Sequence, residues 1–352
     1  MKKIVLGIVA VVLIGVGGTV AALYTQTWNP MWNPFRPDPE VVIKEMAIKM
    51  NSLDAVHSDT RIDLGIQGEK SMNVLLNLSM DSDSTDESNP KSKGVFELDL
   101  SSEGITVSGA GETISVGQTS YFKINEIPSL GESSQMMSGI ISSIKGKWIR
   151  VGQDDLEVLS EEFGQEYDAL SEEEQEEILN KVKNLLEERD LYYVEEELMD
   201  EEINGKMTYH YILALDQEAV KEFVPELIEV FAADYLGEGI KEVEIDEMEE
   251  ELSTGLDDFF EKVGPLKAEV WVGQKDYYLY QVKVDKEVDL SRLSQSTEVS
   301  SPVEGNLLVL LEMNFSDFNK PISIEEPQDY QSITKLIQTL QELMIQSMMG
   351  GM

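Results

Sequence analysis

The sequence predicts an α+β protein: one large antiparallel sheet packed on helices, preceded by a single N-terminal transmembrane helix. Three observations predict it. The first is a succession of roughly ten runs in which apolar and polar residues alternate, separated by Gly, Ser, Asn and Asp turns. Period-two alternation marks a strand with one buried face, and runs joined by short turns pair antiparallel. The second is helical periodicity at the two ends of the folded part and in insertions between the strand runs. The third is an uncharged stretch from Ile4 through Leu23, placed directly behind Lys2 and Lys3.

That stretch holds about twenty apolar residues, enough to cross a hydrocarbon core of about 30 Å. Ile4, Leu13 and Leu23 mark its two ends and its middle as a membrane anchor. The two lysines, with no basic residue on the far side before Arg36, place the N-terminus in the cytoplasm and the main domain outside the cell membrane. A cleaved signal sequence ending near Thr19 to Ala21 is the rival reading and would make the domain secreted. The retained anchor is favoured, because the apolar run is long for a signal sequence and rich in Gly rather than Leu. Residues 25–38 form a linker in which Pro30, Pro34 and Pro37, with Pro39 directly after them, exclude a helix or central strand, and Trp28, Trp32 and Phe35 suit the membrane interface.

The folded domain is expected over residues 39–345. It opens with an amphipathic helix from Pro39 to Leu53, with Val42, Met46 and Met50 on one side and Val41, Ile43, Ala47, Ile48 and Leu53 broadening it. Strand patterns follow at Thr60 to Ile66, Met72 to Met80, Phe96 to Leu100, Ile105 to Val107, Ile114 to Val116 and Tyr121 to Ile124. Gly109 and Gly111 lie among them, where glycine marks a bulge or a close backbone approach. The oxygen-rich run Asp81 to Ser88 lacks the Gly and terminal Glu of an EF-hand loop and reads as a solvated hairpin turn. Pro128 to Ile144 is patterned as a helix, and Gly146 to Val151 as a short strand.

An acidic helical region reaches to Arg189, with Ser171 ahead of three glutamates as an N-cap signal. Two strands then meet at Asn204-Gly205, the preferred residues for a type I′ turn. The second strand places Tyr209, Tyr211 and Leu213 on one face and His210 on the other, while poor alternation in the first predicts a bulge. Gln217 to Val263 is again helical and acidic, with Gly237, Gly239 and Gly255 as expected interruptions. A hairpin from Ala268 to Val284 follows, with Trp271, Tyr277 and Leu279 on its second face. The strand Leu307 to Phe315 and a C-terminal helix through Met344 complete the domain, and residues 346–352 read as a disordered tail.

Composition narrows the function. Acidic residues outnumber basic ones 68 to 27, for a formal net charge of −41. Such a surface repels phosphate backbones and anionic headgroups, so no nucleic-acid partner is expected. Cysteine is absent, which excludes disulfides, thiolate metal sites and thiol nucleophiles. No serine-hydrolase, zinc-protease or nucleotide-loop motif is present, and the two histidines, His57 and His210, fall at ordinary strand positions. Neither an enzyme activity, a cofactor nor a metal is expected. The informative chemistry is apolar. A wide sheet covered incompletely by helices leaves a greasy cavity suited to acyl chains. Its candidate lining is Met72, Val74, Leu76, Leu78, Phe96, Leu98, Tyr209, Tyr211, Leu213, Val309, Leu311 and Met313, with Met80, Met136, Met137 and Met207 adding adaptability.

The order of particular segments adds a resemblance. Gly146 to Ile149, then Ile203 to Tyr211 with Leu215 and Asp216, then Glu269 to Gly273 leading into Tyr278 to Val284, then Asn319 to Pro327, resemble the LolA-like superfamily. The likeness is to LppX/LprG-type extracytoplasmic lipoproteins and covers about Pro39 to Tyr330. It implies a curved half-barrel sheet around helices, an apolar cavity that in relatives holds lipids or lipoprotein acyl chains, and no enzyme activity. The chain departs from those lipoproteins in lacking the lipobox cysteine, so the N-terminal helix would supply the tether, and in its longer acidic helical regions. A non-enzymatic envelope sensor, or a module binding an envelope protein partner, is the alternative use of the same fold.

Overall fold

The computed structural model describes residues 30–68, 71–86, 88–126, 143–155, 158, 172–187, 189–235, 242–293 and 305–350. The expected anchor with Ile4, Leu13 and Leu23, and the helical pattern carrying Met136 and Met137, lie outside the described residues. Among the described residues no helix is long and apolar enough to cross a membrane.

Helix α1 (Pro39–Asn51) starts where the sequence places it. The Asp38 side chain at the N-cap accepts from the Glu40 N–H at 3.0 Å, and Pro39 fills the first turn, where a missing N–H costs nothing. Val42, Ile43 and Met46 are buried, whereas Val41 and Ile48, expected to widen the apolar side, are each 53% exposed.

Twelve strands form one open sheet. The first half comprises β1 (Ala55–Gln67), β2 (Met72–Asp83), β3 (Lys91–Ser102), β4 (Ile105–Val116), β5 (Thr119–Glu126) and β6 (Trp148–Val151). The second half comprises β7 (Tyr192–Ile203), β8 (Lys206–Leu215), β9 (Lys267–Gly273), β10 (Leu279–Asp289), β11 (Asn306–Ser316) and β12 (Tyr330–Ser332). Their order across the sheet is β12-β6-β5-β4-β3-β2-β1-β11-β10-β9-β8-β7. Helices α2 (Glu172–Glu187), α3 (Gln217–Tyr235) and α4 (Glu242–Val263) fall between strands, α5 (Leu290–Leu293) follows β10, and α6 (Ile333–Gly350) ends the described chain.

Several expectations are corrected. The sheet is mixed rather than antiparallel, because β12 pairs parallel with β6. After β11 the chain leaves the middle of the sheet at Asn319, whose side chain accepts from the Asp54 N–H, and reaches Glu326, which accepts from the Tyr121 hydroxyl at 2.9 Å. It therefore arrives at the far edge already running in the direction of β6. The patterns at Ile105 to Val107 and Ile114 to Val116 are one strand, β4, carried through the glycines, with a register shift between Ala110 and Gly111. Gly255 does not interrupt α4, and α6 continues to Gly350, beyond the expected domain end at 345.

The turn at Asn204-Gly205 has φ of 52° and 77°, the positive values a type I′ turn needs at both central residues. The irregular alternation of β7 corresponds to two register shifts, between Val194 and Glu196 and between Leu198 and Glu201. A further shift between Leu279 and Gln281 corrects the expected face of Tyr277 and Leu279. Both pack against the cluster beneath α1 instead of lying opposite it.

Candidate functional site

The registers place all twelve candidate lining residues on one face of the sheet. One row of paired residues runs Tyr211, Val270, Val282, Met313, Thr60, Leu78, Phe96 and Gly111. The adjacent row runs Val284, Leu311, Ile62, Leu76, Leu98 and Gly109, and the next Lys286, Val309, Leu64, Val74, Leu100 and Val107. Met72 pairs with Ile66, which pairs in turn with Leu307. Sequence reasoning omitted Ile62, Leu64, Ile66 and Leu307 from the lining, although their alternation is the signal that puts them there.

The face divides into a closed and an open part. At the closed end, Val42, Ile43 and Met46 of α1 pack on Tyr209, Tyr211, Leu213, Val270 and Val272. Tyr209, Tyr211 and Val272 are 0% exposed, so the tyrosines expected in a cavity belong to a filled core. Burial, then the nearby Glu197 carboxylate, pushes the Tyr211 phenol pKa well up, because both disfavour the phenolate. At the other end Ile149 on β6 is 1% exposed. Between these ends the apolar residues of β11, β1, β2 and β3 are partly exposed, with Met72 at 42% and Leu100 at 36%.

The open part has a defined shape. Five strands from β10 to β3, about 4.8 Å apart, and rows about 6.8 Å apart give a surface roughly 19 Å by 20 Å. That footprint of about 400 Å² matches the largest apolar patch of a typical monomeric protein, which is often functional. Gly109 and Gly111 take no side chain into it. A Cβ at Gly111 would collide with the Phe96 ring, so this glycine lets the ring lie over the β4 backbone. The cationic group on these rows, Lys286, is turned aside and donates through Nζ to the Pro265 carbonyl at 3.0 Å.

The opposite face is polar along its central row and also carries Leu75, Val95, Leu308 and Leu310. Its corresponding row reads Lys283, Glu312, Arg61, Asn77 and Glu97, and Gln281 donates to Glu312 at 3.0 Å. A shallow cavity of about 480 Å³ sits toward the β1–β2 turn and is lined mainly from this side, by Asp63, Asn73, Ser101 and Asp285 together with Leu308 and Leu310. His210 also belongs here, stacked 4.2 Å from the Trp271 ring with Nε2 3.0 Å from Glu269 Oε2. Trp271 Nε1–H donates to Glu201 at 3.0 Å. His57 bridges Asp81 and Asp59 on the same side. Burial would lower its pKa, but the hydrogen bond to Asp81 and the charge of Asp59 hold it above the usual histidine value. Among the described residues no group of three or more His, Asp or Glu is placed to hold a metal ion.

No protein-family model and no curated protein matches the chain. Solved structures do. LprF from Mycobacterium bovis is similar over 83% of this chain and 98% of its own, at 14% identity and a TM-score of 0.38. The Mycobacterium tuberculosis lipoprotein LppX is similar over 82% of this chain and 100% of its own, at 13% identity and a TM-score of 0.31. A LolA superfamily protein from Nitrosomonas europaea is similar over 83% of this chain and 96% of its own, at 9% identity and a TM-score of 0.18. The LolA-like, LppX/LprG-type resemblance drawn from the order of sequence segments is met again here, at low identity.

Proposed function

We propose that this chain is a membrane-anchored, extracytoplasmic binding protein, without enzyme activity, that takes up acyl chains of a lipid or lipoprotein on the open rows of its sheet. The observation that carries this reading is the partly exposed apolar surface of β11, β1, β2 and β3, continuous with a closed core at one end and backed by a face whose central row is polar. Water in contact with that surface is displaced by any apolar chain laid along it, which favours binding by about 25 cal/mol per Å² covered. The strongly negative charge of the chain disfavours anionic headgroups and leaves neutral or zwitterionic ones as the compatible ligands. The uncharged run Ile4 to Leu23 supports the anchor and the placement of the domain outside the cell.

Titration of the purified chain with a fluorescent fatty-acyl probe, together with mass spectrometry of lipid extracted from the chain as expressed, tests the reading. Leu76→Asp and Leu311→Asp, which put a charge on the middle row, are expected to weaken the probe at least tenfold, about 1.4 kcal/mol. Glu97→Gln, on the polar face, is expected to leave it unchanged. A chain that carries no lipid and binds no probe, or that binds equally well with either aspartate in place, sinks the proposal.

A further inference from the structure

The segment between the apolar run and α1 is a pinned turn. Asn33, 4% exposed, donates from its N–H to the Pro30 carbonyl at 2.8 Å, and its side-chain oxygen accepts from the Phe35 N–H at 3.0 Å. Its own carbonyl accepts from the Arg36 N–H at 3.0 Å. The Arg36 side chain, also 4% exposed, then fastens this turn to β7. Nε donates to Glu197 at 2.5 Å, Nη1 and Nη2 donate to the two oxygens of Asp200 at 2.8 Å and 2.5 Å, and the guanidinium lies 4.7 Å over the Tyr209 ring. Gln274 Nε2–H donates to the same Asp200 carboxylate at 2.7 Å. A bidentate guanidinium–carboxylate pair fixes orientation as well as distance. Around this base the apolar residues face outward: Met31 is 47%, Trp32 64% and Phe35 44% exposed.

We propose that Met31, Trp32 and Phe35 form a wedge that sits in the headgroup layer of a zwitterionic bilayer, and that the Arg36 clamp transmits its position to the sheet, fixing the orientation of the domain above the membrane. The proposal rests on the membrane-anchored reading above. Only residues 24–29 separate the end of the apolar run at Leu23 from Pro30. Even fully extended, that piece spans about 20 Å, so a wedge at its end stays within reach of the headgroups. Trp and Phe at this depth bury their rings while the backbone stays hydrated. The wedge offers no free cation, since Arg36 is matched by two carboxylates, and the net charge of −41 opposes an anionic surface. A flexible tether would leave the domain free to tumble; a clamped one presents the same side to the membrane at all times.

The test uses the full chain in phosphatidylcholine vesicles, some of them with brominated acyl chains that quench nearby tryptophan. Trp28→Phe, which leaves Trp32 as well as Trp148 and Trp271 of the sheet, is expected to show at least twofold stronger quenching than Trp28→Phe combined with Trp32→Phe, and the difference between the two reports Trp32. Because the chain contains no cysteine, Lys206→Cys takes a single donor dye, and energy transfer to acceptor lipids reports its height. A narrow height distribution is expected, broadened at least twofold by Arg36→Ala and by Asp200→Asn, with thermal melts verifying that each variant is folded. Arg36→Lys, which keeps the charge but not the fork, is expected to fall between. Unquenched Trp32 in a chain that is inserted, or an equally broad distribution in parent and clamp variants, overturns the wedge and leaves anchor and acyl binding standing. A Trp32 signal that follows protein concentration in the absence of lipid points to a second copy as the occupant and equally overturns it. A chain washed off the vesicles by alkaline carbonate overturns the wedge together with the anchor.

Discussion

At the scale of single residues, the closed end of the sheet holds one clear cost. Tyr211 is 0% exposed, and its hydroxyl has no hydrogen-bond partner among the described residues. A buried hydroxyl without a partner forfeits its hydration, a penalty of about 1–3 kcal/mol. Tyr209 beside it, with ring centroids 6.1 Å apart, is covered by the Arg36 guanidinium and so gains a cation–π contact that Tyr211 lacks. Tyr211→Phe keeps the ring packing and removes the orphan, and it is expected to raise stability by about 1 kcal/mol. The urea midpoint measures this; a lower midpoint would mean that the hydroxyl is satisfied by water and that the site is wetter than its burial indicates.

At the scale of elements, α1 decides which part of the apolar face is core and which part is open. Met46 is 7% exposed and packs within the cluster on β8 and β9, whereas Ile48, two residues on, is 53% exposed. Met46→Ala is expected to cost about 2–4 kcal/mol from the cavity it leaves, while Ile48→Ser is expected to change stability by no more than about 0.5 kcal/mol. Denaturant midpoints of the two variants decide it. The same elements show where local sequence was enough. Asn204-Gly205 carries its turn type in its chemistry, Asp38-Pro39 carries a helix start, and the alternation from Thr60 to Ile66 carries a strand with one apolar face. That the candidate residues share one face was legible for the same reason: period two fixes the face wherever register is regular. Where a residue is inserted, period two fails. The shift near Tyr280 moved Tyr277 and Leu279 across the sheet, and nothing in their types announces it. Coverage was less legible still. Tyr209 and Leu76 have equivalent patterns, yet only the first lies under α1, since the docking of a helix on a distant strand leaves no local mark. The parallel pairing of Tyr330 to Ser332 with Trp148 to Arg150 is likewise set by the path of the chain around the end of the sheet.

At the scale of the whole molecule, negative charge is the dominant feature, and it is concentrated in the helices inserted around the β7–β8 hairpin. Helix α2 has the sequence EEEQEEILNKVKNLLE, and α4 reads EVEIDEMEEELSTGLDDFFEKV. Of the few cations here, Lys181 and Lys262 pair with Glu177 and Asp258 inside their own helices, and two others bridge elements. Arg189, just before β7, pairs with Glu222 and Glu226 of α3, and Lys221 of α3 pairs with Asp257 of α4 at 2.5 Å. Exposed pairs of this kind each contribute at most about 1 kcal/mol, and screening weakens them. Acidic residues outnumber basic ones 68 to 27, so screening relieves more repulsion than it removes attraction. Added salt should therefore stabilise this protein. Between 10 mM and 0.5 M sodium chloride the melting temperature is expected to rise by at least about 3 °C, the equivalent of about 2 kcal/mol in a chain of this size. Hydrogen exchange should locate the gain: amides of α2, α3 and α4 slow more than those of β1 and β2, where Arg61 on β1 and Lys93 on the neighbouring β3 intersperse the acids of the face opposite the apolar rows. Slowing confined to the Asp81 to Ser88 turn, or seen with calcium and not with sodium, would instead assign the effect to a bound cation and refute general self-repulsion as its cause.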